Sequence, residues 1–440
     1  MRPIRGIQVK PRSVFCQCLL NNHSFCYYFP MPIDISDKPQ PLTDHRGIGT
    51  QLDLFSFHEV APGAPFWHAK GMVIFKELEK IAREINEREG YLEISTPILV
   101  KKEVFEKSGH WEHYRENMFY FANPRDEKEM LVVKPMNCPE STYIYNSRVR
   151  SYRDLPLRLA EIGRLNRNEL SGTLGGLLRV RQLTMDDAHI YLMPDQVEGE
   201  VVAIVKTIND FYSIFGFKTQ YTLATKPTDS LGAKAEWDIA EAALEKGLKK
   251  AGIKYSTAKG EGAFYGPKIE AHLKDSQGRD WQMGTAQLDL VMLPKQFDIR
   301  YIAENGERKM PWVIHRAIFG SFERFIGVLL EHTAGKLPLW LSPVQASVLT
   351  VADSFSGYAS EIAEKLRAAE IRVAVDGSNE TINKKIREAE LQKTPYIVVV
   401  GEKEQSTGTV AVRKRGTGDA GTVELVKFLE QLKTEILMRK

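Results

Sequence analysis

The sequence predicts an α+β body followed by a smaller α/β domain. Residues 157–191 hold two strand-like runs joined by a polar, glycine-rich stretch, the pattern of a long antiparallel hairpin. The stretch KLPLWLSPVQ (336–345) then carries two prolines and restarts the pattern, which marks a boundary. Beyond it strands and helices alternate, from SVLTVAD and SGYASEIAEKLRAAE through IRVAVDG and ETINKKIREAELQK to a terminal helix in VELVKFLEQLKTEILMRK.

Composition limits the function classes. A chain of 440 residues, 43% hydrophobic and 27% charged, is ordinary for a globular protein and excludes disordered, collagen-like and disulfide-scaffold classes. No run of apolar residues is long enough to cross a membrane. With 60 basic against 57 acidic residues, any nucleic-acid surface must be a local patch. Four cysteines (Cys16, Cys18, Cys26 and Cys138) make no disulfide framework and fit a reducing compartment. The expected location is the cytoplasm.

In chain order, residues 1–42 read as a leader without fixed structure. Its first thirty residues carry Arg2, Arg5, Lys10 and Arg12 and no acid, the composition of a transit peptide, which would make the location mitochondrial. The alternative is a leader upstream of a start at Met31. Cys16, Cys18, His23 and Cys26 invite a zinc reading, but C-x-C leaves one residue where structural zinc pairs leave at least two.

Val73, Ile74, Leu78, Ile81 and Ile85 fall at helical spacing, which predicts an amphipathic helix over 69–89. Gly90 stops it, and GYLEISTPIL continues as an extended segment. LVVKP reads as a short strand, 196–217 and 234–251 as helices, and 263–273 and 279–291 as a strand pair. PWVIHRAIFGSFERFIGVLLEH starts extended and turns helical. Gly416, Gly418 and Gly421 match G-x-G-x-x-G, but the further strand and acid of a dinucleotide site are absent, so an ordinary turn is expected.

The hairpin threads arginines through its runs: Arg158, Arg164, Arg167, Arg179 and Arg181. Arg179 and Arg181 alternate with Leu178 and Val180, so strand geometry would place both guanidiniums on one face. Two readings stand. One is a solvated sheet face; the other is a polyphosphate site, since arginine forks match phosphate oxygens and Asp186, Asp187 and His189 follow on the same strand.

The run LAEIGRLNRNELSGTLGGLLRVRQLTMDDAHI resembles motif 2 of class II aminoacyl-tRNA synthetases; GYLEISTPIL resembles motif 1 and FGSFERFIGVLLE motif 3. KPMNCPES, EGAFYGPKIE, DWQMGTAQLDL and PWVIHRAIFGSFERF narrow the resemblance to threonyl-tRNA synthetases, from about Thr43 to the C-terminus. It implies an α+β catalytic domain over 43–338, an antiparallel sheet with flanking helices, and an α/β anticodon-binding domain over 339–440.

The implied activity is activation of threonine by ATP, with Mg²⁺, and transfer to threonine tRNA by a homodimer. Arg167 would bind the ATP α-phosphate and the amino acid carboxylate, Glu169 the adenine and Arg179 a further phosphate. Arg324 would cover the far side of the nucleotide, with Gln282 and Thr285 on the floor strand. Tyr265 and Lys268 fall near the amino acid and phosphates, and Asp187 and Gln287 in the amino acid pocket. Cys138, His189 and His315 match the zinc ligands, and Glu404 and Arg413 match anticodon-reading positions. Read alone, each zinc candidate is more often a buried cysteine or a satisfied histidine than a ligand. Read as a set, they leave a coordination position open for substrate.

Asn166, Met185 and Met283 depart from residues usual in the family and alter the fine shape of the pocket. Longer members resembling this chain carry an N-terminal editing domain, which about forty leading residues cannot build. Serine mischarging is therefore expected to fall to a separate editing protein, or to be tolerated. Two rivals remain: an inactive synthetase-like paralogue that binds tRNA, and a sibling synthetase for proline or serine. The retained Arg167 and Arg324 argue against the first, and the Cys138, His189 and His315 set against both.

Overall fold

A computed structural model describes residues 44–275 and 277–439. The leader readings (transit peptide, Cys16/Cys18/His23/Cys26 cluster) fall outside those residues. The large body is organised on an eight-stranded sheet. Its strands run in the order Tyr255–Ala258, Thr219–Ala224, Lys268–Lys274, Asp280–Asp289, Trp312–Ala317, Gln182–Leu192, Leu157–Asn166 and Leu92–Glu93. Only the two outermost pairings are parallel.

Strand alternation separates the faces of this sheet. Ile269, Ala271, Ala286, Leu288, Ile190 and Ile314 point into the main core, where four helices cover them. These are Ala69–Arg88, Val197–Ser213, Lys234–Lys250 and Phe322–Thr333. The first follows the predicted spacing: Ile74, Leu78, Ile81 and Ile85 are buried, each worth about 1.5–3 kcal/mol, and Gly90 turns the chain out at φ 73°. The residues between them on each strand face the opposite side, which carries the cleft.

Asp186 is on the helix side. Its carboxylate accepts from Arg316 Nη1 at 2.7 Å and from the Ile318 and Phe319 N–H groups at 2.8 and 3.2 Å. The Arg316 guanidinium, fully buried, also bonds Asn86 on the long helix and stacks 4.3 Å from the Tyr91 ring centroid. A buried arginine is tolerable here because carboxylate, amide and ring share its charge.

Several sequence expectations change. Arg179 and Arg181 are not in a strand, because the second hairpin strand begins only at Gln182 and Gly176–Leu178 forms a 3-10 turn. Both side chains still converge, folding back onto the loop after the first strand. Arg179 Nε reaches Glu169 at 2.9 Å, and Arg181 Nε reaches the Glu169 carbonyl at 2.9 Å. Residues 263–267 form a turn, so the predicted 263–273 strand starts at Lys268. LVVKP is the end of a longer strand, Asp126–Val133, paired with Phe119–Asn123.

The second sheet runs Val373–Asp376, Ala346–Thr350, Tyr396–Val400, Thr409–Lys414, Gly418–Glu424. Helices Ser356–Ala368 and Leu425–Leu437 cover one face around Val348, Val398 and Phe428; Ile382–Leu391 covers the other. Gly416, Gly418 and Gly421 all take positive φ, and the last two belong to the edge strand after a hairpin turn. Among the described residues no helix is long and apolar enough to cross a membrane.

Candidate active site

Register assembles the centre of the cleft. Lys268 pairs with Gln287, Gln287 with His315, and His315 with His189, so one row across four antiparallel strands presents all four side chains on one face. Thr285 and Glu270 form the next row. The two imidazoles meet edge to face with centroids 4.9 Å apart.

Cys138 comes over this row as the first residue of helix Cys138–Asn146, with Pro139 at the start fixing the helical entry. Gly163 makes room for the turn before it, because a Cβ there would lie 2.4 Å from the Asn137 side-chain oxygen. Asn137 in turn donates to Asp187 at 2.9 Å, which aims that carboxylate at the cleft.

The donor atoms of Cys138, His189 and His315 all lie within 4.8 Å of one another. His189 Nε2 and His315 Nδ1 are buried without a hydrogen-bond partner among the described residues, while His315 Nε2 lies 3.3 Å from Asp289. Orphaned nitrogens facing a thiol, with a carboxylate behind one ring, are what a divalent metal requires. Burial pushes the His189 imidazole down to about 4, against Asp187 and helped by His315, so it stays neutral and able to ligate. Burial also holds the Cys138 thiol well above its usual range, with Asp187, Glu140 and Asp289 adding to this; a bound cation would reverse that. These residues fit zinc. A second donor group, Asp44, His45 and Glu331, does not. Both His45 nitrogens are engaged there, Nδ1 with Glu331 at 2.6 Å and Nε2 accepting the Leu177 N–H at 3.0 Å.

A cleft of about 270 Å³ opens above the row, lined by Arg167, Cys138, Asp187, Tyr265, Thr285, Gln287 and His315 among others. Tyr265 donates to Gln287 at 2.5 Å, and Gln287 to Thr285 at 3.2 Å, so the wall is one hydrogen-bonded chain. Arg167 enters from the hairpin loop, its Nε held by the Pro135 carbonyl at 3.1 Å and its guanidinium 6.0 Å from the Tyr114 ring.

Beside the cleft the cations crowd. Arg324 is anchored by the Leu178 and Gln282 carbonyls at 3.0 and 3.4 Å. Its guanidinium lies below its usual range, first through burial and then through Arg167 and Arg179, with Glu169 opposing. Glu169 pairs with Arg179 alone and attracts Arg324 from a distance, so positive charge is in excess here. Such a site is built for a polyanion.

The family model for the class II tRNA synthetase core domain (G, H, P, S and T) matches residues 119–333, and that for the anticodon-binding domain matches 345–435. A solved structure of the RNA-binding domain of threonyl-tRNA synthetase from Cryptosporidium parvum superposes with a TM-score of 0.83 at 39% identity. It covers 89% of this chain and 98% of its own. The chain belongs to the threonyl-tRNA synthetase family. Threonine–tRNA ligases of Carboxydothermus hydrogenoformans and Caldanaerobacter subterraneus are 51% and 49% identical over 89% of this chain. The chain spans 61% and 60% of their lengths.

The threonyl-tRNA synthetase motifs thus fall into two neighbouring groups. Cys138, Asp187, His189, Tyr265, Gln287 and His315 surround the floor of the cleft. Arg167 links them to the second group, in which Glu169 binds Arg179 and Arg324 touches Gln282. Lys268 joins both through Glu270, whose Oε1 accepts from Lys268 at 2.6 Å and from Gln282 at 2.7 Å.

Glu404 and Arg413 are elsewhere, on the second sheet and its short helix. The Glu404 carboxylate accepts the Gly401 N–H at 3.0 Å, and Arg413 sits 3.9 Å from Glu390 with about a third of its side chain exposed (34%).

Two residues escaped sequence reasoning. Glu270 closes the run EGAFYGPKIE, where the resemblance assigns it no role; only the pairing of its strand shows that it orders two neighbours. His110 is buried in the cleft wall, held at Nδ1 by Ser108 Oγ at 2.8 Å and pushed down to about 3 by burial, with His315 next. It follows a glycine at φ 81° in a turn between two short helices, where nothing local announces a site.

Proposed function

We propose that this chain is a threonine–tRNA ligase, which makes threonyl-adenylate from threonine and ATP and transfers the threonyl group to the 3′ end of threonine tRNA. The observation that carries this reading is the convergence of Arg167, Arg179 and Arg324 beside a cleft whose floor offers a cysteine, two imidazoles each with one unpartnered nitrogen among the described residues, and a carboxylate. In activation, a threonine carboxylate oxygen attacks the α-phosphorus, a P–O bond forms, and the bond to pyrophosphate breaks. Both reactants are anions. Arg167 lies between the two groups of residues and neutralises both charges, while Arg179, Arg324 and Lys268 hold the phosphates; Mg²⁺ bound with ATP would supply further charge neutralisation. Glu169 and Gln282 flank the adenine end, and Tyr265, Gln287 and Asp187 orient the amino acid.

Cys138, His189 and His315 would hold zinc, and Asp289 would set the tautomer of His315. When bound, zinc supplies a Lewis-acid site for the amine and hydroxyl of threonine. An apolar pocket separates isosteres poorly, so discrimination against valine rests on that hydroxyl.

A homodimer through the motif 1 segment is supported by exposed Leu92, Ile98 and Leu99 around an unpaired sheet edge. ATP–pyrophosphate exchange with threonine, valine, serine and proline tests the reading. Exchange with threonine, less with serine and none with valine or proline is expected; equal use of proline, or no exchange at all, would overturn it.

Residues 339–440 are assigned to anticodon reading. Arg413→Ala should cost about 1–3 kcal/mol in tRNA charging and leave exchange unchanged. Equal losses in both assays would make Arg413 a structural residue.

A further inference from the structure

Arg372 stands immediately before the edge strand Val373–Asp376 of the second sheet, and its guanidinium reaches across to the large body. Nη1 donates to Glu77 Oε1 at 2.6 Å, on the helix whose buried face supports the catalytic sheet. Nε donates to the Ser342 carbonyl at 3.0 Å and Nη2 to the Trp340 carbonyl, both in the segment joining the two sheets. Its backbone N–H donates to Gln345 Oε1 at 2.9 Å, so the stem is fixed as well. One rigid fork therefore ties three segments, a task for which a flexible ammonium is poorly shaped. Seven residues beyond Glu77, on the same face of that helix, Glu84 pairs with Arg439, which also lies 5.7 Å from the Trp340 ring.

We propose that Arg372, acting through Glu77, is a positioning residue for tRNA charging: it holds the anticodon-reading domain at one angle to the catalytic sheet. This rests on the function proposed above. A tRNA that engages both domains binds them as a two-site ligand. Its second contact is strong only when the distance and angle between the sites match those of the tRNA. Freeing the angle removes that gain without removing any contact to the nucleic acid. Adenylate formation uses neither domain angle nor Arg372, which is not among the residues lining the cleft.

The test compares three reactions of the full chain: charging of whole threonine tRNA, charging of an acceptor-stem microhelix with the same 3′ end, and threonine-dependent pyrophosphate exchange. Arg372→Ala and the milder Glu77→Gln should each lower kcat/KM for whole tRNA by about 10-fold, mainly through KM. The microhelix and exchange rates should stay within about twofold. The double variant should be no worse than Arg372→Ala alone, because the residues act as one unit. Arg372→Lys should not restore charging. Whole-tRNA kinetics unchanged in Arg372→Ala, or equal losses in all three reactions with Glu77→Gln, would overturn the proposal. Absence of exchange in the wild type would overturn the functional reading itself, and is seen before any variant is made.

Discussion

Arg167→Ala lowers threonine-dependent pyrophosphate exchange by at least about 10²–10³-fold, the cost of removing one preorganised charge from a transition state. The fold should survive, because among the described residues the Arg167 side chain makes a single hydrogen bond, to Pro135, and lies at the cleft rather than in a core. Arg179 and Arg324 do not substitute. Arg179 is engaged by Glu169, and Arg324 is held by two carbonyls on the far side. Arg167→Lys should fail as well, since a point charge cannot fork between a phosphate and a carboxylate. A thermal melt within a few degrees of wild type, together with lost exchange, is the expected pair of results. Near-normal exchange in either variant would remove Arg167 from its assigned role.

The second large effect concerns the metal. Purified protein should carry about one zinc per chain, read by elemental mass spectrometry. His315→Ala and Cys138→Ser should lose the metal and threonine activation together. ATP binding alone, measured by calorimetry, should persist in both, because the guanidinium group is separate from the ligand row. Chelation of the wild type should reproduce the variants, and zinc should restore it. Fully active protein without metal would exclude the assignment.

Much of the frame was legible because it follows local periodicity. The helix Ala69–Arg88, the hairpin and the floor strands show their spacing directly. The strands Thr219–Ala224 and Tyr255–Ala258 were not legible, being short and lying at the sheet margin without turn residues of the tight-hairpin kind. The edge strand Gly418–Glu424 hid behind its glycines, which read as a turn. The proposed zinc ligands show a different limit. Cys138, His189 and His315 share no spacing rule; motif resemblance named them, and only the pairing of His189 with His315 and the entry of helix Cys138–Asn146 over that row bring them together. Asp186 and Asp187 are neighbours in sequence, yet one binds the buried Arg316 and the other faces the cleft.

The cross-strand row has a consequence for how the chain matures. Suppose strand Trp312–Ala317 paired one residue out of step with its neighbours. His315 would turn toward the helices, and Ile314 or Arg316 would occupy the cleft. The same slip would strip the main core of Ile314 and break the Arg316–Asp186 pair. Misthreaded chains would therefore lose the assembled Cys138, His189 and His315 group and the solidity of the core in one stroke. Zinc content of the purified protein would then report its correctly threaded fraction, and the core penalty would act on every slipped chain with or without metal.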